Sequence, residues 1–417
     1  MKRLLSQLVP QTMKNSYHLL QAVMATLWYG FPAQKLHVIG VTGTNGKTTT
    51  SQFIARILAA SGKKVALAST INFQIGEREW VNTSKFTTLS PWKLQRFLRE
   101  AVDAGCTYAV IETSSHALDQ NRVWGIPYEI AVMTNVTREH LDYHVTMERY
   151  REAKQRLFRL AKKNVVNLDM EEPAFFCDKS GPDLVTYSTR NKEATLFAHD
   201  LTLDFKGTGW SVGEERFRLQ IPGLFNIENA LASLGVAKLL DIDFAVAREA
   251  IASIPIVPGR MELVANHINA DILIDYAVTP DAFEKLYASV RPLKIPGTKI
   301  IHVFGACGER DRGKRPEMGT IASTYADIVI LTNEDPFYED PEQIIDDIEQ
   351  GVTKKKNKNY FRIFDRRQAI AKALSLAEIG DIVLLTGKGA EVTMALGDTR
   401  LPWSERQVIE EELEKLQ

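Results

Sequence analysis

Cysteine is scarce in this 417-residue chain: Cys106, Cys177 and Cys307 lie far apart and form no CxxC pair. That argues against a thiolate zinc site and a disulfide framework, and fits a reducing, cytoplasmic setting. An excess of charge is also missing, since 51 Lys and Arg stand against 52 Asp and Glu for a formal net charge of −1. No general attraction to nucleic acid or anionic lipid follows from such a balance. Long apolar runs are absent as well, and nothing reaches the roughly 18 to 20 residues of a membrane-spanning helix. The nearest, YHLLQAVMATLWYGF at residues 17–31, follows Lys2, Arg3 and Lys14, is interrupted by His18 and Gln21, and has no convincing small-residue cleavage site after it. Three readings stay open for it: a signal peptide, an amphipathic helix making peripheral membrane contact, and a helix packed on the protein's own surface.

The length allows two or three domains with separate cores. After Pro32 short apolar runs alternate with helical stretches, the pattern of a parallel sheet covered by helices. LHVIGVT (36–42) reads as a buried strand, and TTSQFIARILAASG (49–62) as a helix with Phe53, Ile54, Ile57 and Leu58 on one face. KVALAS, YAVIETS, IAVMTNV and NVVNL read as further strands. Residues 184–220 alternate as β-rich segments around GTGW, so a hairpin layer is expected to flank this sheet. A helix follows over 226–239. PIVPG (255–259) marks a turn or linker, after which DILIDYA, KIIHVFGA, DIVILTN, FRIFD and DIVLLTG read as the strands of a second series, with helices over 280–290 and 341–351. The expected fold class is α/β: a helical segment over 1–35, a P-loop domain with a mainly parallel sheet over 36–257, and a Rossmann-like α/β domain over 258–417. The lysine run at 354–358 reads as a solvated loop.

GVTGTNGKTTT (40–50) stands between the predicted strand and helix, the context a phosphate-binding loop requires. Gly43 and Gly46 let the backbone of Thr44 and Asn45 approach phosphate. The helix start at Thr49 offers free N–H groups, Lys47 reaches the β and γ phosphates, and Thr48 can hold Mg²⁺. ATP or GTP binding follows. The usual first glycine of the motif is replaced by Val41.

GTNGKTTT resembles the variant phosphate loop of the Mur ligases, peptidoglycan amino-acid ligases that are themselves similar to folylpolyglutamate and cyanophycin synthetases. IETSSHALDQNRV (111–123), TNVTREHLDYH (134–144), YREAKQRLF (150–158), GLFNIENALAS (223–233), PGRME (258–262), DYAVTPDA (275–282), GERDRGKRPEMG (308–319) and TGKGAE (386–391) also resemble that family, in the order found in its tripeptide synthetases. The match runs from about residue 36 to the end. It implies an ATP-dependent ligase that activates a peptide carboxylate as an acyl phosphate and joins it to an amino acid in cell-wall synthesis. Small molecules are the implied partners, and the implied state is a monomer or weak homo-oligomer.

An acyl phosphate forms when a carboxylate oxygen attacks the γ phosphate, so two anions must be held together and screened by divalent metal. The resemblance makes Glu112, His140 and Lys154, the last as a carbamate, ligands to Mg²⁺ beside Thr48. Taken singly, Glu112 and Lys154 read as ion-pair residues and His140 as a helix cap or core histidine. Asn229 is expected near the adenine, with Arg260 and Asp275 contacting phosphates and ribose from the second domain; Arg260 as a linker salt bridge is the alternative. Thr87, Thr88, Ser114, Gln120 and Arg122 match positions that bind the acceptor peptide, and Arg310, Asp335 and Glu391 those that bind the incoming amino acid. Val278 and Ala390 replace usual histidines, FTTLS departs from the common TTP, and Phe337 stands where diaminopimelate-adding members carry an arginine. Without that fork the distal carboxylate of diaminopimelate loses its clamp, and lysine or another amino acid becomes at least as good a candidate. Only about 35 residues precede the match, too few for the family's UDP-binding domain, so a sugar nucleotide bound less extensively or by a partner chain, or another carrier such as a membrane-linked one approached through residues 17–31, is expected. Extension of a polyglutamate or cyanophycin-like polymer, and a catalytically inactive nucleotide-binding scaffold, are the competing readings.

Overall fold

A computed structural model describes residues 10–84, 86–178 and 183–416. The reading of a helical segment over 1–35 therefore lies partly outside the described residues, as do Lys2 and Arg3. The first strands are β1 (His37–Thr42), β2 (Val65–Ala68), β3 (Asn72–Ile75), β4 (Arg78–Val81), β5 (Tyr108–Glu112), β6 (Tyr128–Met133), β7 (Lys163–Asn167), β8 (Leu184–Ser188), β9 (Leu196–Asp204), β10 (Gly207–Val212) and β11 (Glu215–Leu219). They form one sheet in the order β11-β10-β9-β8-β7-β6-β1-β5-β2-β3-β4. Strands from β2 to β8 through β1 run parallel, and the apolar runs read from the sequence are their buried residues. The hairpin strands do not lie as a separate layer. They continue the sheet's edge, joined through Tyr187↔Leu196 and Ser188↔Phe197 alone.

Helix Lys47–Ala60 buries Phe53, Ile54, Ile57 and Leu58 against this sheet and against helix Leu224–Leu239. The latter is rich in small residues, and a Cβ on its Gly235 would lie 2.6 Å from Val165 Cγ1, so only glycine lets the helix sit this close to β7. Helices Pro91–Asp103 and Met147–Leu160 cover the opposite face.

Residues 253–261, including PIVPG, hold no helix or strand beyond the bridge Val257↔Arg260. Then β12 (Glu262–Val264), β13 (Asp271–Asp275), β14 (Ile300–Phe304), β15 (Ile328–Leu331), β16 (Tyr360–Arg362) and β17 (Ile382–Thr386) form a second sheet in the order β12-β13-β17-β14-β15-β16, parallel except for β12. Helices Pro280–Val290, Lys314–Tyr325 and Pro341–Glu349 pack on one face and Arg366–Leu376 and Glu405–Glu414 on the other. Thr279, Asp340, Asp365 and Ser404 cap four of these helices by accepting from a backbone N–H in the first turn, which fixes where each begins. A small hairpin, β18 (Thr393–Leu396) and β19 (Thr399–Pro402), follows β17.

Helix Gln11–Trp28 lies on the protein surface. Ala22, Ala25 and Thr26 are its buried residues, packed toward helix Pro91–Asp103, while Met13, Tyr17, Leu20, Met24, Leu27 and Trp28 are exposed. No described helix is long and apolar enough to cross a membrane. The lysine run at 354–358 lies in a largely exposed loop.

Candidate active site

β1 sits between β5 and β6, with Val41 opposite Glu112 and Thr42 opposite Met133, so the loop leaving β1 is flanked by the ends of both neighbours. Thr44 N–H donates to Asn135 O at 2.9 Å, Asn45 N–H to Asn135 Oδ1 at 2.9 Å, and Thr134 Oγ1 to Asn45 O at 2.6 Å. Gly43 has φ 153° and Gly46 φ 83°; a Cβ would lie 1.8 Å from Thr134 Oγ1 in the first case and 2.3 Å from Asn229 Oδ1 in the second. Close packing from two other elements thus requires both glycines. Lys47 Nζ donates to Gly43 O and Thr44 O at 2.9 and 2.8 Å, and burial lowers its pKa.

Behind the loop, Glu112 is fully buried, accepting from Thr70 N–H and Thr70 Oγ1 at 2.8 Å each. Burial raises its pKa, while bonds from Thr70 and Thr48 and the charge of Lys47 oppose that rise. Lys154, 1% exposed, has its Nζ 4.4 Å from the centre of the Tyr150 ring and forms no ion pair among the described residues. Its pKa falls well below the usual value through burial and the nearby charge of Lys47. His140 has φ 58° and opens the short helix Leu141–His144; burial, then His116, Lys154 and Lys47, hold its pKa well down, so it is neutral. Glu112, His140 and Lys154 therefore gather around Lys47, although only His140 of the three lines the cavity described below. No group of three His, Cys, Asp or Glu arranged to hold a metal occurs among the described residues. Within this set the Thr48 hydroxyl and the Glu112 carboxylate are the oxygen donors a hard cation prefers, with phosphate and water able to complete its shell, whereas the neutral imidazole and the unmodified amine are nitrogen groups that do not match it.

A cavity of about 330 Å³ runs from this loop to the second sheet. Thr44, Asn45, Gly46, Lys47, Thr48, Thr49 and Asn229 line one end, with Thr87, Arg260 and Asp275 beyond them and Arg310, Asp335 and Glu391 at the other. Arg260 reaches across from the turn before the second sheet: Nη2 is 3.5 Å from Thr48 Oγ1, and its guanidinium carbon is 4.4 Å from the centre of the Tyr276 ring. Asp275 accepts from Met261 N–H and Ala277 N–H at 2.8 Å each and so fixes the turn carrying Arg260. Asn229 accepts from Thr50 Oγ1 at 3.3 Å and packs on the phosphate loop itself.

Several sequence candidates lie off this wall. Thr88 Oγ1 donates to Glu112 O at 2.8 Å, Ser114 N–H to Thr88 Oγ1 at 2.9 Å, and Arg122 Nη1 to Thr88 O at 2.9 Å. Ser114 caps helix Ser115–Asp119, which Gln120 ends. At the far end Asp335 and Glu391 share Lys388, whose Nζ is 3.0 and 2.6 Å from their carboxylates, so both acids hold a protein cation. Lys388 and Glu334 were not singled out from the sequence, nor were Lys314 and Glu139, which pair at 3.0 Å across the two sheets. Their motifs, TGKGAE and GERDRGKRP, were visible; their partners, distant in sequence, were not.

A phosphate loop on one mainly parallel sheet, faced across a cavity by an arginine from the turn leading into a second Rossmann-like sheet, defines a nucleotide-dependent two-lobe ligase. Two family models match, the Mur ligase middle domain over residues 41–237 and the Mur ligase, glutamate ligase domain over 259–389. The UDP-N-acetylmuramyl-tripeptide synthetase of Roseiflexus sp. (strain RS-1) is 42% identical over 410 residues, covering 92% of this chain and 80% of that protein. A UDP-N-acetylmuramoyl-L-alanyl-D-glutamate--2,6-diaminopimelate ligase from Trichormus variabilis (strain ATCC 29413 / PCC 7937) is 41% identical, with coverage of 93% and 79%. A solved structure of such a diaminopimelate ligase superposes with a TM-score of 0.65 at 32% identity, covering 95% and 83%. Mycobacterium tuberculosis folylpolyglutamate synthase shares the fold alone, with a TM-score of 0.71 at 16% identity, covering 88% and 92%. The chain belongs to the Mur ligase family. It is an ATP-dependent, ADP-forming amide ligase, and Mg²⁺ is the metal such ligases use.

Proposed function

We propose that the chain joins an amino acid to the carboxylate of a muramoyl peptide through an acyl phosphate, in peptidoglycan precursor synthesis in the cytoplasm. One observation carries this reading: a single cavity links the phosphate loop to a cluster of arginine and carboxylates, with Arg260 of the turn before the second sheet within reach of Thr48. Residues 36–257 and 258–417 are taken as the two lobes. Residues 43–49 with Asn229, Arg260 and Asp275 hold ATP; Thr87, Thr88, Ser114, Gln120 and Arg122 shape the acceptor end; Arg310, Asp335 and Glu391 shape the amino-acid end. Thr48, Glu112, His140 and Lys154 would hold Mg²⁺, which supplies screening of the two reacting anions. Lys47 orients the terminal phosphate, and Arg260 places a positive charge beside it only when the lobes are shut.

Lys154 is proposed to act as a carbamate. A buried amine that forms no ion pair among the described residues and sits near a second lysine is disfavoured as a cation, Glu139 offsetting this only in part, and addition of CO₂ turns the repulsion from Lys47 into attraction. The exposed apolar row of helix Gln11–Trp28 supports peripheral contact with lipid, and the chain is read as a monomer or weak homo-oligomer.

The reading is tested by phosphate release from ATP across an amine panel, with UDP-muramoyl-dipeptide or a bare γ-glutamyl dipeptide as acceptor. Release should require acceptor and amine together, with lysine serving at least as well as diaminopimelate, because Phe337 cannot clamp a second carboxylate. Equal turnover of the bare dipeptide would remove UDP from the reaction, and dependence on a polyglutamate primer would replace the reading.

A further inference from the structure

The incoming amine arrives as an ammonium and must lose a proton before its lone pair can attack. The cavity holds few groups able to take it. His140 is the only histidine in its described lining, and it stands beside the phosphate loop; positions 278 and 390, which also line it, are Val and Ala. Asp335 and Glu391 are bonded to Lys388, Glu139 to Lys314, Glu228 to Asn167 with Lys285 at 3.6 Å, and Asp275 to two backbone N–H groups. Burial pushes the Cys307 thiol up to about 12, which removes it as a base near neutrality.

Glu334 is different. It lines the cavity, is 4% exposed, and its Oε2 is buried with no hydrogen-bond partner among the described residues. The cations around it are engaged elsewhere. Arg366 bonds Glu405 and the Thr386 carbonyl, and Lys388 holds Asp335 and Glu391. The backbone makes room for this carboxylate: a Cβ on Gly387 would lie 2.4 Å from Glu334 Oε2, and one on Gly305 would lie 3.3 Å from Glu334 Cβ. The same cavity is lined by the phosphate loop. Arg260, 3.5 Å from Thr48, stacks on Tyr276, whose hydroxyl meets Glu391 at 3.2 Å and whose ionisation feels both Arg260 and Glu334.

We propose that the Glu334 carboxylate is the general base that takes a proton from the incoming amine as it attacks the acyl phosphate. This rests on the acyl-phosphate reading above. The ammonium gives one proton to Glu334, the freed lone pair forms the C–N bond, and the C–O bond to phosphate breaks with its electron pair leaving on phosphate. The second nitrogen proton departs with that phosphate, and Glu334 returns its own to solvent. Burial, reinforced by Asp335 and Glu391 and opposed by Arg366 and Lys388, raises the Glu334 pKa to about 7, a value suited to accepting a proton near neutral pH.

The test compares wild type with Glu334→Gln, using UDP-muramoyl-dipeptide, ATP and either lysine or hydroxylamine. Hydroxylamine is largely unprotonated at neutral pH and reports the acyl phosphate as a hydroxamate without needing a base. Glu334→Gln should form hydroxamate as wild type does, which also shows that it folds. Its kcat for the amide should fall by about 10²–10⁴-fold, with loss of the limb that rises through about pH 7 in wild type. Amide formation within threefold of wild type, or a raised KM for lysine at unchanged kcat, would overturn the proposal. Absence of hydroxamate from wild type would instead overturn the acyl-phosphate reading on which it rests.

Discussion

At the scale of single residues, what marks the site is where charge goes uncompensated. Lys47 satisfies its ammonium with Gly43 O and Thr44 O, whereas Lys154 is buried over the Tyr150 ring and forms no ion pair among the described residues, the Glu139 charge only partly offsetting burial and Lys47. If Lys154 serves as a carbamate, Lys154→Ala should keep ATP affinity within about threefold, lose ligation by roughly 100-fold, and regain part of it when a short carboxylate such as formate is added. Binding and rescue assays check this, and wild-type rates without rescue would end the role. Lys47, Thr48 and Glu112 were legible because each sits at a fixed offset within a local pattern. Glu334 was not, because its importance lies in a buried Oε2 without a hydrogen-bond partner among the described residues, which only burial beside Gly305 and Gly387 makes meaningful.

At the scale of elements, helix Gln11–Trp28 shows how one apolar run divides into two faces. Its buried side is small, with Ala22 and Ala25 fully covered against helix Pro91–Asp103, and its outer side carries Leu20 and Met24. Ala22→Leu should destabilise the protein by about 1–3 kcal/mol through overpacking. Leu20→Gln should change stability by no more than about 0.5 kcal/mol while weakening co-sedimentation with phospholipid vesicles. Denaturant melts and vesicle sedimentation separate the two, and unchanged sedimentation for Leu20→Gln would remove lipid from the helix's role. Hydropathy revealed that a helix forms here. It did not reveal which face is covered, because that depends on a neighbour some seventy residues away.

At the scale of the molecule, the two sheets are held together where chemistry is proposed. Lys314, 4% exposed, meets Glu139, 7% exposed, at 3.0 Å, one residue from His140, and Asn45 donates to Asp281 at 3.0 Å. Breaking a buried pair costs about 3–5 kcal/mol, so Lys314→Met should weaken docking of the lobes and lower kcat while ATP affinity, set mainly by the phosphate loop, stays within about threefold. Steady-state kinetics with direct nucleotide binding reads this out, and an unchanged kcat would show that the pair does not govern closure. The sequence by itself determined the phosphate loop, the two series of strands and the helices between them, because these follow from short-range periodicity and from residues whose backbone or side-chain chemistry acts locally. The tertiary structure alone decided that β9, β10 and β11 extend the first sheet, that Lys388 occupies Asp335 and Glu391, and that Glu334 forms no ion pair among the described residues although Arg366 and Lys388 lie near it. Each of those outcomes depends on which distant groups share a small volume from which water is excluded, and one-dimensional spacing carries no record of that.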